Sequence, residues 1–63
     1  MLMWMALMTG YFVTPDRRYT VAKKSGLWYA WFGEGGSGRK LGAHASYSAA
    51  RSKCESHALK QAG

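Results

Sequence analysis

Tyr19-Thr20-Val21-Ala22-Lys23-Lys24-Ser25-Gly26-Leu27-Trp28-Tyr29-Ala30-Trp31-Phe32 is the stretch on which the fold turns. Two runs of strand-forming residues flank Ser25-Gly26, and a two-residue connection containing glycine between such runs is a hairpin signature. Closing that turn sets Lys24 against Leu27, Ala22 against Tyr29, Val21 against Ala30, Thr20 against Trp31 and Tyr19 against Phe32. Side chains alternate along a strand, so one face of the hairpin is apolar while the other carries Arg18, Thr20, Lys24, Tyr29 and Trp31. Leu27 to Phe32 is bulky on both faces and reads as the central strand.

On the C-terminal side, Arg39 to His44 reads as a third strand, and strict alternation adds Lys40, Gly42 and His44 to the basic face. Ser46 or Ser48 can cap a helix on which Tyr47, Ala50, Cys54, His57, Ala58 and Gln61 share one stripe. That stripe is mostly small, so the helix can approach the sheet closely, with Trp28 and Phe32 filling the remaining volume. Arg51, Lys53, Glu55 and Lys60 then point outward. On the N-terminal side, Tyr11-Phe12-Val13-Thr14 ends at the turn signal Pro15-Asp16 and is a candidate edge strand. The fold expected is α+β: a small antiparallel sheet of three strands, or four with that edge strand, and one C-terminal helix packed on one face. Residues 18–61 form the β-β-β-α core of a single domain spanning 1–63, and residues 1–17 are an apolar N-terminal extension or edge element.

Met1 to Met8 is almost wholly apolar, but a bilayer core needs about 20 such residues, and no basic flank or small-residue cleavage site surrounds it. The segment reads as neither anchor nor signal. It is either a surplus extension ahead of a second start at Met8 or an element packed on the sheet or on a partner.

A chain of 63 residues holds one domain with a small core. Nine Lys and Arg against three Asp and Glu give a net charge of +6, spread from Arg17 to Lys60, which favours nucleic acid or another acidic surface as partner. The single Cys54 excludes an internal disulfide and points to a reducing cytoplasm. Gly33-Glu34-Gly35-Gly36-Ser37-Gly38 matches a dinucleotide-binding pattern, yet that chemistry needs a helix N-terminus directly after the loop, whereas Arg39-Lys40-Leu41 continues as strand. The loop reads as a hairpin connection. Cys54 and His57 lie three apart on the helix and only His44 remains as a third ligand, so no metal and no cofactor are expected. Cys54 falls on the buried stripe, where a thiol is a poor nucleophile, and no enzyme activity is expected.

The run Arg39-Lys40-Leu41-Gly42-Ala43-His44-Ala45-Ser46-Tyr47-Ser48-Ala49-Ala50-Arg51 resembles the third strand and helix start of the Apetala/ethylene-response type of DNA-binding domain. Gly26-Leu27-Trp28-Tyr29-Ala30-Trp31-Phe32 resembles the aromatic central strand of a similar β-β-β-α module, the arm-site-binding domain of phage tyrosine-recombinase integrases. The resemblance covers about residues 18–58. It implies a three-stranded sheet laid in the DNA major groove with the helix behind it, Trp28 and Ala30 in the core, Trp31 and Lys40 facing the groove, and Arg18, Lys23 and Lys24 as first-strand basic residues. The chain departs from the family where Tyr29 and Trp31 replace arginines and other polar groups, and aromatics cannot make the bidentate guanine contacts of Arg.

Charge, faces and resemblance together give the expected function: a small basic protein that binds DNA, duplex favoured, through Arg18, Lys23, Lys24, Tyr29, Trp31, Arg39, Lys40 and His44. Two other readings stand beside it. In one, a small phage-type protein uses the same residues to bind an acidic site on a host protein and modulate it, since Trp, Tyr and Arg also dominate protein interfaces. In the other, Met1 to Met8 covers Tyr29 and Trp31 as a second small core, and the lysines merely solvate its rim.

Overall fold

The computed structural model describes residues 2–33 and 38–62. Five strands, β1 (Met5–Met8), β2 (Tyr11–Val13), β3 (Tyr19–Lys24), β4 (Leu27–Phe32) and β5 (Arg39–His44), precede one helix, α1 (Tyr47–Ala62). The strands form a single antiparallel meander in chain order, with β1 and β5 at its edges. The class is α+β as the sequence implies, but the sheet has five strands where three or four were expected. Tyr11–Val13 is indeed a strand, and Met5–Met8 adds another beyond it. The glycine-rich connection after Phe32 falls, for its residues 34–37, outside the described residues.

The β3–β4 hairpin has the register read from its turn, from Lys24 opposite Leu27 through Tyr19 opposite Phe32. Ser25 and Gly26 both have left-handed backbone, φ 54° and 81°, which matches the twist of the strands they join. Between β4 and β5 regular pairing breaks. Ala30 opposes Gly42 and Trp31 opposes Lys40, which leaves Leu41 as a surplus residue in a bulge.

α1 lies across β3, β4 and β5. Ser46 caps it: its hydroxyl accepts from the Ala49 amide at 3.2 Å, and its carbonyl accepts from the Ala50 amide. The contact with the sheet is made by small residues, Ala50 and Cys54 on the helix against Val21 and Ala30 on the strands, all four fully buried. Trp28, Leu41, Tyr47 and Ala58 pack around them, as do Leu2 and Trp4 from the N-terminal segment. Aromatic contacts close both ends of this layer. Phe12 lies 4.6 Å from the Tyr47 ring, Trp28 meets the same ring edge-on at 5.5 Å, and Phe32 lies 4.8 Å from the His57 ring.

Gln61, assigned to the buried stripe, is exposed near the helix end. Arg51 and Glu55, expected outward, are partly buried because they pair with each other at 3.7 Å and Arg51 lies over the Tyr47 ring.

Because Ala50 is fully buried where helix and sheet are closest, Ala50→Leu should overpack the contact and lower stability by about 1–3 kcal/mol. Ala49→Leu, one residue away on the exposed side, should change it by under about 0.5 kcal/mol. Chemical denaturation of the two variants beside the parent checks this, and equal midpoints would place the helix contact elsewhere.

Candidate nucleic-acid interface

The helix occupies one face of the sheet, and no described element lies across the other. β1 is an edge strand in the plane of the sheet, and Leu2 and Trp4 at its start pack on the helix-side core. The N-terminal segment therefore does not form a lid over Tyr29 and Trp31. Those two side chains, partly buried by their strand neighbours, line a shallow groove of about 220 Å³ together with Lys24, Ser25 and Lys40. The Lys40 ammonium sits 5.1 Å from the centre of the Tyr29 ring. Thr20, between Val13 and Trp31 in adjacent strands, is buried on this face and donates from its hydroxyl to the Gly33 carbonyl at 2.9 Å.

Of the eight residues assigned to the interface, Lys24, Tyr29, Trp31 and Lys40 meet at this groove, and four lie elsewhere. Lys23 opposes Trp28, and its ammonium lies 5.9 Å from that ring, on the helix side. Arg39 opposes Phe32 and His44 opposes Trp28, which puts both on the helix side as well. Strict alternation from Lys40 would have sent Gly42 and His44 to the open face, but the surplus Leu41 reverses the parity of everything after it. His44 folds back over Gly42, so a Cβ at position 42 would come within 3.0 Å of its Nε2. A glycine inside a strand is a recognised mark of a bulge, and Gly42 carried that signal in the sequence.

Arg18 is drawn away by the turn before β3. The Asp16 carboxylate accepts from the Thr14 hydroxyl at 2.7 Å and from the Arg18 amide at 3.1 Å, and lies 3.8 Å from the Arg18 guanidinium. These hydrogen bonds hold the Asp16 carboxyl below the usual carboxylate range, the Thr14 bond contributing most. Arg18 lines a second cleft of about 190 Å³ on the helix side with Leu2, Tyr19, Phe32 and Ala58. Beside it the Tyr19 hydroxyl and His57 Nδ1 share a hydrogen bond of 2.8 Å.

Cys54 is fully buried, with its thiol 4.0 Å from the Thr20 carbonyl, and burial pushes its pKa up to about 11. A thiol held protonated in this way is not a nucleophile near neutral pH. Among the described residues no three His, Cys, Asp or Glu side chains gather as a metal site, and no helix is long and apolar enough to cross a membrane. Compared with protein-family models, with curated proteins and with solved structures, the chain finds no match.

Burial raises both the Cys54 thiol and the Tyr19 hydroxyl above their ordinary values of 9.0 and 10.0. The folded state thus keeps protons that the unfolded state gives up as the solution becomes alkaline, and stability should fall as pH rises from about 9 toward 11. Cys54→Ala should flatten that decline, which denaturation midpoints measured across the range would show. A parent protein as stable at pH 11 as at pH 8 would contradict the burial of both groups.

Proposed function

We propose that this protein is a small, non-enzymatic, basic module that binds DNA, duplex in preference to single strands, through the open face of its sheet. The observation that carries this reading is the convergence of two lysines and two aromatics, Lys24, Lys40, Tyr29 and Trp31, on one groove. Cations there can neutralise phosphates while the ring faces take apolar or stacking contact with bases or sugars. The four residues come from three adjacent strands, with Lys24 fixed at the end of β3 by the tight Ser25-Gly26 turn. Paired strands, and not loops, thus position these four side chains. The helix behind it is held by the Ala50 and Cys54 packing, and its own lysines, Lys53 and Lys60, are exposed to solvent. With no arginine among the described residues of the groove, affinity should depend little on base sequence.

The test is titration of a labelled random duplex and the matching single strand at two salt concentrations. Affinity should fall steeply with salt. Lys40→Ala should lower affinity and reduce the slope of log K against log salt by about 0.9 on duplex. Trp31→Ala should remove about 1–3 kcal/mol of affinity with the slope nearly kept, because apolar contact releases few ions. Lys53→Ala, on the exposed side of the helix, should leave the slope unchanged. Absence of binding at low salt would overturn the reading and leave an acidic protein surface as the partner for the same groove.

A further inference from the structure

Away from the groove, the N-terminal edge of the sheet exposes a run of large apolar side chains. All four residues of β1 are exposed, with Leu7 46% and Met8 67% accessible, and Met3 just before it is 74% accessible. Edge strands present unpaired backbone N–H and C=O groups, and natural sheets guard them with charge, proline or bulges. β1 has only the bulge between Ala6 and Met8. The opposite edge, β5, is guarded by the exposed cations Arg39 and Lys40.

We propose that β1 is a self-association edge, through which two copies of the chain pair antiparallel about a two-fold axis and join their sheets. Charge selects the occupant. No charged side chain occurs in residues 1–15, whereas the remaining residues carry the whole net charge of +6. Two such cationic chains repel one another over most of their surface and can meet closely only along this uncharged edge. An acidic partner would gain nothing there and would be drawn to the lysines instead. The edge is also ordered in advance, since Leu2 and Trp4 pack on the core at its start and Met5 and Ala6 pair with Val13 and Phe12. Pairing β1 to β1 is isologous and closes at two copies, while the charged β5 edge disfavours the head-to-tail β1-to-β5 arrangement that would grow without limit.

Sedimentation equilibrium of the full chain over a range of concentrations tests this. The expected result is a reversible dimer of twice the 7.0 kDa chain, kept or strengthened at high salt because screening reduces the repulsion. Leu7→Lys and, separately, Met8→Lys place a cation on already exposed positions, so each should fold, as circular dichroism would verify, and each should weaken the dimer at least tenfold. Leu59→Ser removes an equally exposed apolar side chain from the helix and should leave the dimer intact. A parent chain that stays monomeric at high concentration, a dimer insensitive to both lysines, a dimer lost in Leu59→Ser, or open-ended polymers would each overturn the proposal.

Discussion

The fold depends on how closely a helix can lie against three strands, and that distance is set by Ala30, Ala50, Val21 and Cys54. All four are fully buried, and none is larger than valine. A chain of this size has little apolar volume to spend on its interior. Close approach brings the backbones of helix and sheet together, so small side chains can fill most of the contact with Tyr19 buried beside them, and the rings of Phe12, Trp28, Phe32 and Tyr47 are used around it. The Tyr19 hydroxyl is satisfied there by His57, and the rim thereby ties the first long strand to the later turns of the helix.

That economy has a consequence for the opposite face. With one helix to cover five strands, one side of the sheet goes uncovered, and the sequence must make it compatible with water or with a partner. It does so in two ways. Toward β4 and β5 the face mixes aromatics with lysines, which keeps it wettable and gives it a chemistry suited to a polyanion. Toward β1 it is apolar and uncharged. The two halves thus differ in chemistry and lie at different places on the sheet.

Much of this was legible in the chain. Ser25-Gly26 fixes a hairpin of known geometry, and from it the pairing of every residue from Tyr19 to Phe32 follows, as do the two faces of the central strand. The helix and its contact residues follow from the spacing of Tyr47, Ala50, Cys54 and Ala58. What alternation could not supply was the parity of β5, because a bulge adds a residue without changing composition. β1 was hidden for another reason. Met-Ala-Leu-Met contains no β-branched or aromatic residue, so its strand conformation comes from pairing with β2 and not from local preference. Arg18 was assigned by parity as well, but the hydrogen bonds of Thr14 and Asp16 bend the chain just before β3 and carry it off the face.

The bulge at Leu41 also bears on how this domain can vary in length. The surplus residue is taken up inside the strand, so it is not passed on to the short Ala45-Ser46 connection, and the start of the helix keeps its place relative to Trp28. A chain lacking that residue would pair Gly42 with Ala30 and His44 with Trp28 as this one does. The strand therefore contains a site where one residue can be gained or lost without shifting the pairing of Gly42 and His44 or changing the open face, although losing Leu41 itself removes a side chain that packs on the helix-side core.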